Sequence, residues 1–115
     1  MYQLMYSLIA LFFISCKATT YFVVRHAEKE TTNTMTSDVP LSEAGKQRAV
    51  SLKEVLQNER ISQIYSTNYI RTKSTAQPLA DALGLKMQIY TPGDSAFITS
   101  LIRMNNTTVL IVGHS

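Results

Sequence analysis

Short apolar runs and helical stripes alternate along this chain. Thr19 to Val24 is a run of β-branched and aromatic residues bounded by charge, which predicts a first strand. It lacks the alternation of a half-buried strand, so burial on both faces is expected. Glu28 to Pro40 carries Thr, Asn, Ser and Asp with no apolar period, and a loop of that length is expected to be functional or mobile. Ser42 then opens a helix as its N-cap, with Glu43 complementing the dipole in the first turn. Ala49, Leu52, Val55 and Leu56 give that helix one apolar face through about Gln57. Gly45 in its first turn has no helical merit and marks close packing against the preceding loop.

Ile61 to Tyr65 predicts a second strand, and Tyr69 to Leu83 a second helix with Ile70, Ala76, Leu79, Ala80 and Leu83 towards the core. Gly84 is its C-cap. Pro78 inside it predicts a kink, or a break near Ala76. Lys86 to Tyr90 reads as strand three, ended by Pro92-Gly93, and Ser95 to Met104 as a third helix capped by Asp94 or Ser95. Thr107 to Val112 is strand four, and its apolar run suits the centre of a sheet. Strands alternating with helices predict an α/β domain: a largely parallel sheet with helices on both faces. At 115 residues there is room for one domain, and no internal repeat is present.

Residues 1–18 are set apart from it. From Leu4 to Ile14 every residue except Ser7 is apolar or aromatic, a run of 11 residues. That is short of the ~20 needed to span a bilayer but fits a signal-peptide core of ~7–15. Two processing readings stand: cleavage after Ala18, or lipidation of Cys16 in a lipobox-like Phe13-Ile14-Ser15-Cys16. Both make the protein exported, periplasmic or membrane-anchored. No Lys or Arg precedes the core, so a buried first element or an uncleaved anchor stays open, and without a signal the protein is cytoplasmic. The folded domain is expected over residues 19–115.

Hydrophobic residues at 45% and charged residues at 17% are ordinary for a globular chain and exclude disorder. The net charge of +3 is spread over scattered Lys and Arg with no basic run, which argues against nucleic-acid binding and suits an anion-binding enzyme. One cysteine allows no intramolecular disulfide, and no Cys/His spacing fits a zinc site. No metal or cofactor is expected.

The candidate chemistry lies at strand ends. Arg25-His26 follow strand one, Ser66-Thr67 follow strand two with Arg71 in the next helical turn, and Gly113-His114 follow strand four. In an open α/β sheet these positions share the ligand-binding edge. Guanidinium forks match phosphate oxygens, and a helix N-terminus near Arg71 favours anions. A histidine there can be ligand, acid or nucleophile; attack on phosphorus needs a neutral imidazole, which nearby positive charge favours. A second histidine, protonated, would stabilise the developing charge. A proton for the leaving group would come from Glu28 or Asp94. Singly, each residue has an ordinary reading: surface charge, solvated helix residue, frayed end. Jointly, with Thr67 and Ser115 adding hydroxyls, they point to a phosphate site.

Val24-Arg25-His26-Ala27-Glu28, Leu41-Ser42-Glu43-Ala44-Gly45-Lys46-Gln47-Arg48-Ala49, Tyr65-Ser66-Thr67 with Arg71-Thr72 and Thr75-Ala76, and Val112-Gly113-His114-Ser115 resemble the histidine phosphatase superfamily, in its phosphoglycerate-mutase-like branch. The resemblance runs from Tyr21 to the end and includes Gly45. It implies a three-layer fold, a phosphohistidine on His26, a phosphate pocket of Arg25, Arg71 and His114, and no metal or organic cofactor. Ala27 stands where glycine is commonest. Asp94 lies about where the family's acid sits, slightly ahead of Glu28 as the donor. The resemblance also implies a further helix and strand after His114, hence a chain truncated at its C-terminus. The reading is a phosphatase for a small phosphate ester or a phosphoprotein, with a mutase or a binding module of little turnover as alternatives.

Overall fold

The computed structural model describes residues 18–31 and 38–114. The readings placed on the N-terminal run, Cys16 and the Ser115 hydroxyl lie outside the described residues. Among the described residues four strands, β1 (Thr20–Arg25), β2 (Gln63–Ser66), β3 (Met87–Ile89) and β4 (Thr108–Gly113), form one sheet in the order β1-β4-β2-β3. Every pairing is parallel. Three helices connect them: α1 (Glu43–Leu56), α2 (Ile70–Leu83) and α3 (Ser95–Ile102). None of the described helices is long and apolar enough to cross a membrane.

One sheet face makes the core. Ile64, Leu110 and Val112 meet Ala76, Leu79 and Ala80 of α2, together with Leu56 and Ile61, all nearly or fully buried. The other face carries α3 through Phe97, which stands edge-on to Tyr65 at 5.1 Å and stacks on Tyr90 at 4.5 Å. The Tyr21 hydroxyl bonds to the Leu101 carbonyl on the same face. Helices therefore lie on both faces, and β4 lies between β1 and β2 as its apolar run requires.

Four local readings are corrected. β1 is an edge strand with alternating exposure, Val23 standing 72% exposed; its apolar residues reflect β propensity rather than two-sided burial. Val55 is likewise exposed. At about 100° per residue it stands about 100° round the helix from Leu56, outside the stripe of Gly45, Ala49, Leu52 and Leu56. Ile70 is 41% exposed because it opens the first turn of α2, and Tyr69 serves as the N-cap. Finally, α2 runs unbroken through Pro78. Proline removes one helix bond, but Ala76, Leu79 and Ala80, each buried to 1% or less, hold both sides of it against the sheet. Gly84 closes the helix in the left-handed conformation (φ 65°), as expected. The loop after β1 is also less featureless than its composition: Lys29 and Leu41 form an antiparallel bridge, and Glu30 N–H donates to Pro40 O at 2.7 Å.

Candidate active site

Register decides what meets at the sheet's carboxyl edge. Val24 pairs with Val112, Val112 with Ser66, and Ser66 with Ile89. The next residues of each strand thus leave at one level: His26 N–H donates to Gly113 O (3.0 Å), Thr67 N–H to Val112 O (3.2 Å) and Tyr90 N–H to Ser66 O (3.0 Å). Gly113 is there for space, since a Cβ would lie 2.9 Å from the Tyr90 hydroxyl oxygen.

His26 is half-buried, and its Nδ1 lies 2.7 Å from the Ala27 carbonyl oxygen. A carbonyl only accepts, so Nδ1 carries the hydrogen and a neutral ring keeps its lone pair on Nε2. Arg25, His26, Glu28, Lys29 and Arg48 line an open cleft of about 490 Å³. Arg25 also borders a smaller recess with Gly113 and His114.

The loop holding His26 is pinned at two points. Ala27 N–H donates to Thr75 Oγ1 (2.9 Å), whose own hydrogen goes to Arg71 O (2.7 Å), so one buried hydroxyl ties the end of β1 to the turn carrying Arg71. Glu28 O accepts from Ser42 N–H (2.9 Å) and Ser42 Oγ (3.2 Å), while Ser42 Oγ accepts from Gly45 N–H (3.1 Å). Thr75→Val is expected to cost about 2 kcal/mol in urea unfolding, because it strands the Ala27 N–H in a site only 4% exposed. The turns that carry Arg71 and His26 lose their common tie with it.

His114 is held rather than frayed. Its Nδ1 lies 3.3 Å from Thr67 Oγ1, which donates to Thr72 Oγ1 (3.0 Å); Thr72 in turn faces the carbonyls of Thr67 (2.9 Å) and Tyr69 (3.0 Å). Both threonines are fully buried. That order of donors makes Thr67 the acceptor from His114 Nδ1–H. The His114 ring meets the Tyr69 ring at 4.6 Å and 67°, and Arg71 Cζ lies 4.5 Å from the Tyr69 centroid.

The two carboxylates are placed differently. Glu28 lines the His26 cleft and pairs with Arg48 Nε at 2.8 Å, an exposed ion pair worth under about 1 kcal/mol. Asp94 caps α3, its Oδ1 accepting from Ala96 N–H at 3.0 Å, and lines neither recess around His26 and His114. Sequence reasoning missed the part of Tyr69, whose signal is a bulky aromatic where a helix start favours Ser, Thr, Asp or Asn. Among the described residues no three His, Cys, Asp or Glu side chains are grouped to hold a metal ion.

The sequence profile of the histidine phosphatase superfamily (branch 1) matches residues 21–91. A mycobacterial glucosyl-3-phosphoglycerate phosphatase structure is 30% identical, with a TM-score of 0.53, over 60% of this chain; this chain spans only 34% of that one. The protein histidine phosphatase SixA, solved with tungstate, matches at TM-score 0.66 and 18% identity, over 82% of this chain and 68% of that one. A phosphoserine phosphatase of Entamoeba histolytica, solved with 3-phosphoglyceric acid, matches at TM-score 0.67 and 14% identity, over 85% and 75%. The last two likenesses speak to the fold. No curated protein sequence matches the chain.

Proposed function

The chain belongs to the histidine phosphatase superfamily (branch 1), and on that premise we propose that it hydrolyses phosphomonoesters or phosphorylated side chains through a phosphohistidine on His26. The observation that carries this reading is the 2.7 Å approach of His26 Nδ1 to the Ala27 carbonyl, which leaves Nε2 as the nucleophilic atom. Arg25, Arg71 and His114 hold the phosphoryl oxygens, with Thr67 fixing His114. Attack by Nε2 forms the N–P bond as the ester P–O bond breaks and the leaving oxygen takes a proton from the acid; water then forms a new P–O bond as the N–P bond breaks, gives its proton to that carboxylate, and leaves His26 neutral. Of the two acid candidates, the lining of the His26 cleft supports Glu28 over Asp94, which caps a helix; to donate, Glu28 leaves its ion pair with Arg48 and takes up a proton. Small phosphate esters and phosphohistidine proteins are both kept as substrate classes. The glucosyl-3-phosphoglycerate phosphatase, 30% identical over 60% of this chain, supports the first.

Trapping tests the reading. Incubation with a radiolabelled aryl phosphate and an alkaline denaturing quench should give protein-bound label that is alkali-stable, acid-labile and located on His26. Phosphate binding with no such label would overturn hydrolysis in favour of a binding module. We further propose that residues 1–18 direct export, with Cys16 lipidated or the chain cut after Ala18. N-terminal analysis of protein from a native host should begin at Cys16 or Thr19, and an intact Met1 recovered from the soluble cytosolic fraction would refute export.

A further inference from the structure

Tyr69 occupies the N-cap of α2 in extended backbone (φ −125°, ψ 150°), and its side chain makes no capping hydrogen bond. Ser, Thr, Asp or Asn there would satisfy an orphan N–H, which a phenol at the end of a rigid ring does not. The cap comes from elsewhere, as Asp38 Oδ1 accepts from Ile70 N–H at 2.7 Å. A residue that breaks a local rule while another supplies what it lacks is commonly occupied by function. Here the ring turns to the site. The Arg71 guanidinium lies 4.5 Å from its centroid, and the His114 ring meets it edge-to-face at 4.6 Å. One aromatic thus touches two nitrogen-bearing side chains of the site that arrive from different elements, α2 and the end of β4.

We propose that Tyr69 is a positioning residue that sets Arg71 and His114 in one arrangement before phosphate arrives. The proposal rests on the phosphatase reading of the site. Arginine is long and flexible, and two donors that reach one anion from different elements need a common support to hold their spacing when the anion is absent. A π face supplies that support: it attracts the guanidinium and gives the imidazole a fixed wall. The gain is preorganisation, so that binding energy is not used to gather the donors. The phenol hydroxyl has no part in this; the ring does.

The test compares Tyr69→Phe with Tyr69→Leu in the full chain, using orthovanadate as the ligand. Tyr69→Phe should stay within about 3-fold of wild type in vanadate affinity and kcat/KM. Tyr69→Leu should lose about 10-fold or more in vanadate affinity, with a comparable fall in kcat. Ring-current shifts give a readout that a merely structural role would not move. The His114 ring protons should resonate at shifted positions in wild type and Tyr69→Phe, and return towards free-imidazole positions in Tyr69→Leu. Tyr69→Met replaces the leucine variant if the latter does not melt cooperatively. Unchanged vanadate affinity in the leucine or methionine variant overturns the proposal. So does a loss in Tyr69→Phe equal to that in Tyr69→Leu. A wild-type protein that neither binds vanadate nor forms a phosphoenzyme defeats the phosphatase reading instead, and the ring shifts then still decide whether Tyr69 holds His114.

Discussion

Replacing His26 with alanine is expected to lower turnover of an aryl phosphate by about 10⁴-fold or more and to abolish the trapped phosphoenzyme. That factor corresponds to about 5.4 kcal/mol of transition-state stabilisation at ~1.36 kcal/mol per tenfold. It is large because the imidazole is proposed as the covalent partner of phosphorus, and methyl cannot substitute. Stability should barely change. The half-buried ring bonds to the neighbouring Ala27 carbonyl, and the backbone bond from His26 N–H to Gly113 O survives the substitution. His114→Ala is the useful companion, since it should slow the reaction while leaving His26 able to accept label. Kinetics with trapping on purified variants checks both. Activity within tenfold of wild type in the His26 variant would place the nucleophile elsewhere.

Gly45→Ala should destabilise the fold by about 3 kcal/mol, against the usual sign of that substitution in a helix. Helix propensity alone favours alanine over glycine by about 1 kcal/mol. At Gly45, however, a Cβ would lie 2.1 Å from the Glu28 carbonyl oxygen and 3.0 Å from its carbon. Backbone must move, either the start of α1 or the turn after His26. Either movement breaks the bonds from Ser42 to Glu28 O at 2.9 and 3.2 Å, and strains the pair between Glu28 and Arg48. Because that turn also carries His26, activity should fall more than residual folded protein explains. Urea unfolding settles the sign, and a Gly45→Ala variant more stable than wild type would show that the turn is not seated on α1.

The elements and their order were legible because each rests on local chemistry. Ser42 as a cap, Gly84 as a stop and the apolar run of β4 hold in the structure. The readings that failed concern exposure, which depends on what a segment packs against. Val23 and Val55 are as apolar as their buried neighbours, yet one lies at a sheet edge and the other beside the helix stripe. Pro78 was read as a kink or a break by its own chemistry, and the helix, packed on both sides of it, does not break there.

The site divides in the same way. The sequence by itself determined which groups stand at strand ends, since an Arg-His pair after one strand and a Gly-His pair after another follow from element boundaries. It also marked Gly45 as a close contact with the preceding loop, without saying at which atom. Only the tertiary structure decided that Glu28 O is that contact and that Thr75 bridges Ala27 to Arg71. It likewise aimed His26 Nδ1 at a carbonyl and set Tyr69 between Arg71 and His114. The physical reason is reach. Propensity and capping act over one helical turn, whereas Ala27 and Thr75, or Tyr69 and His114, are remote in sequence and meet only through the parallel register of β1, β4 and β2.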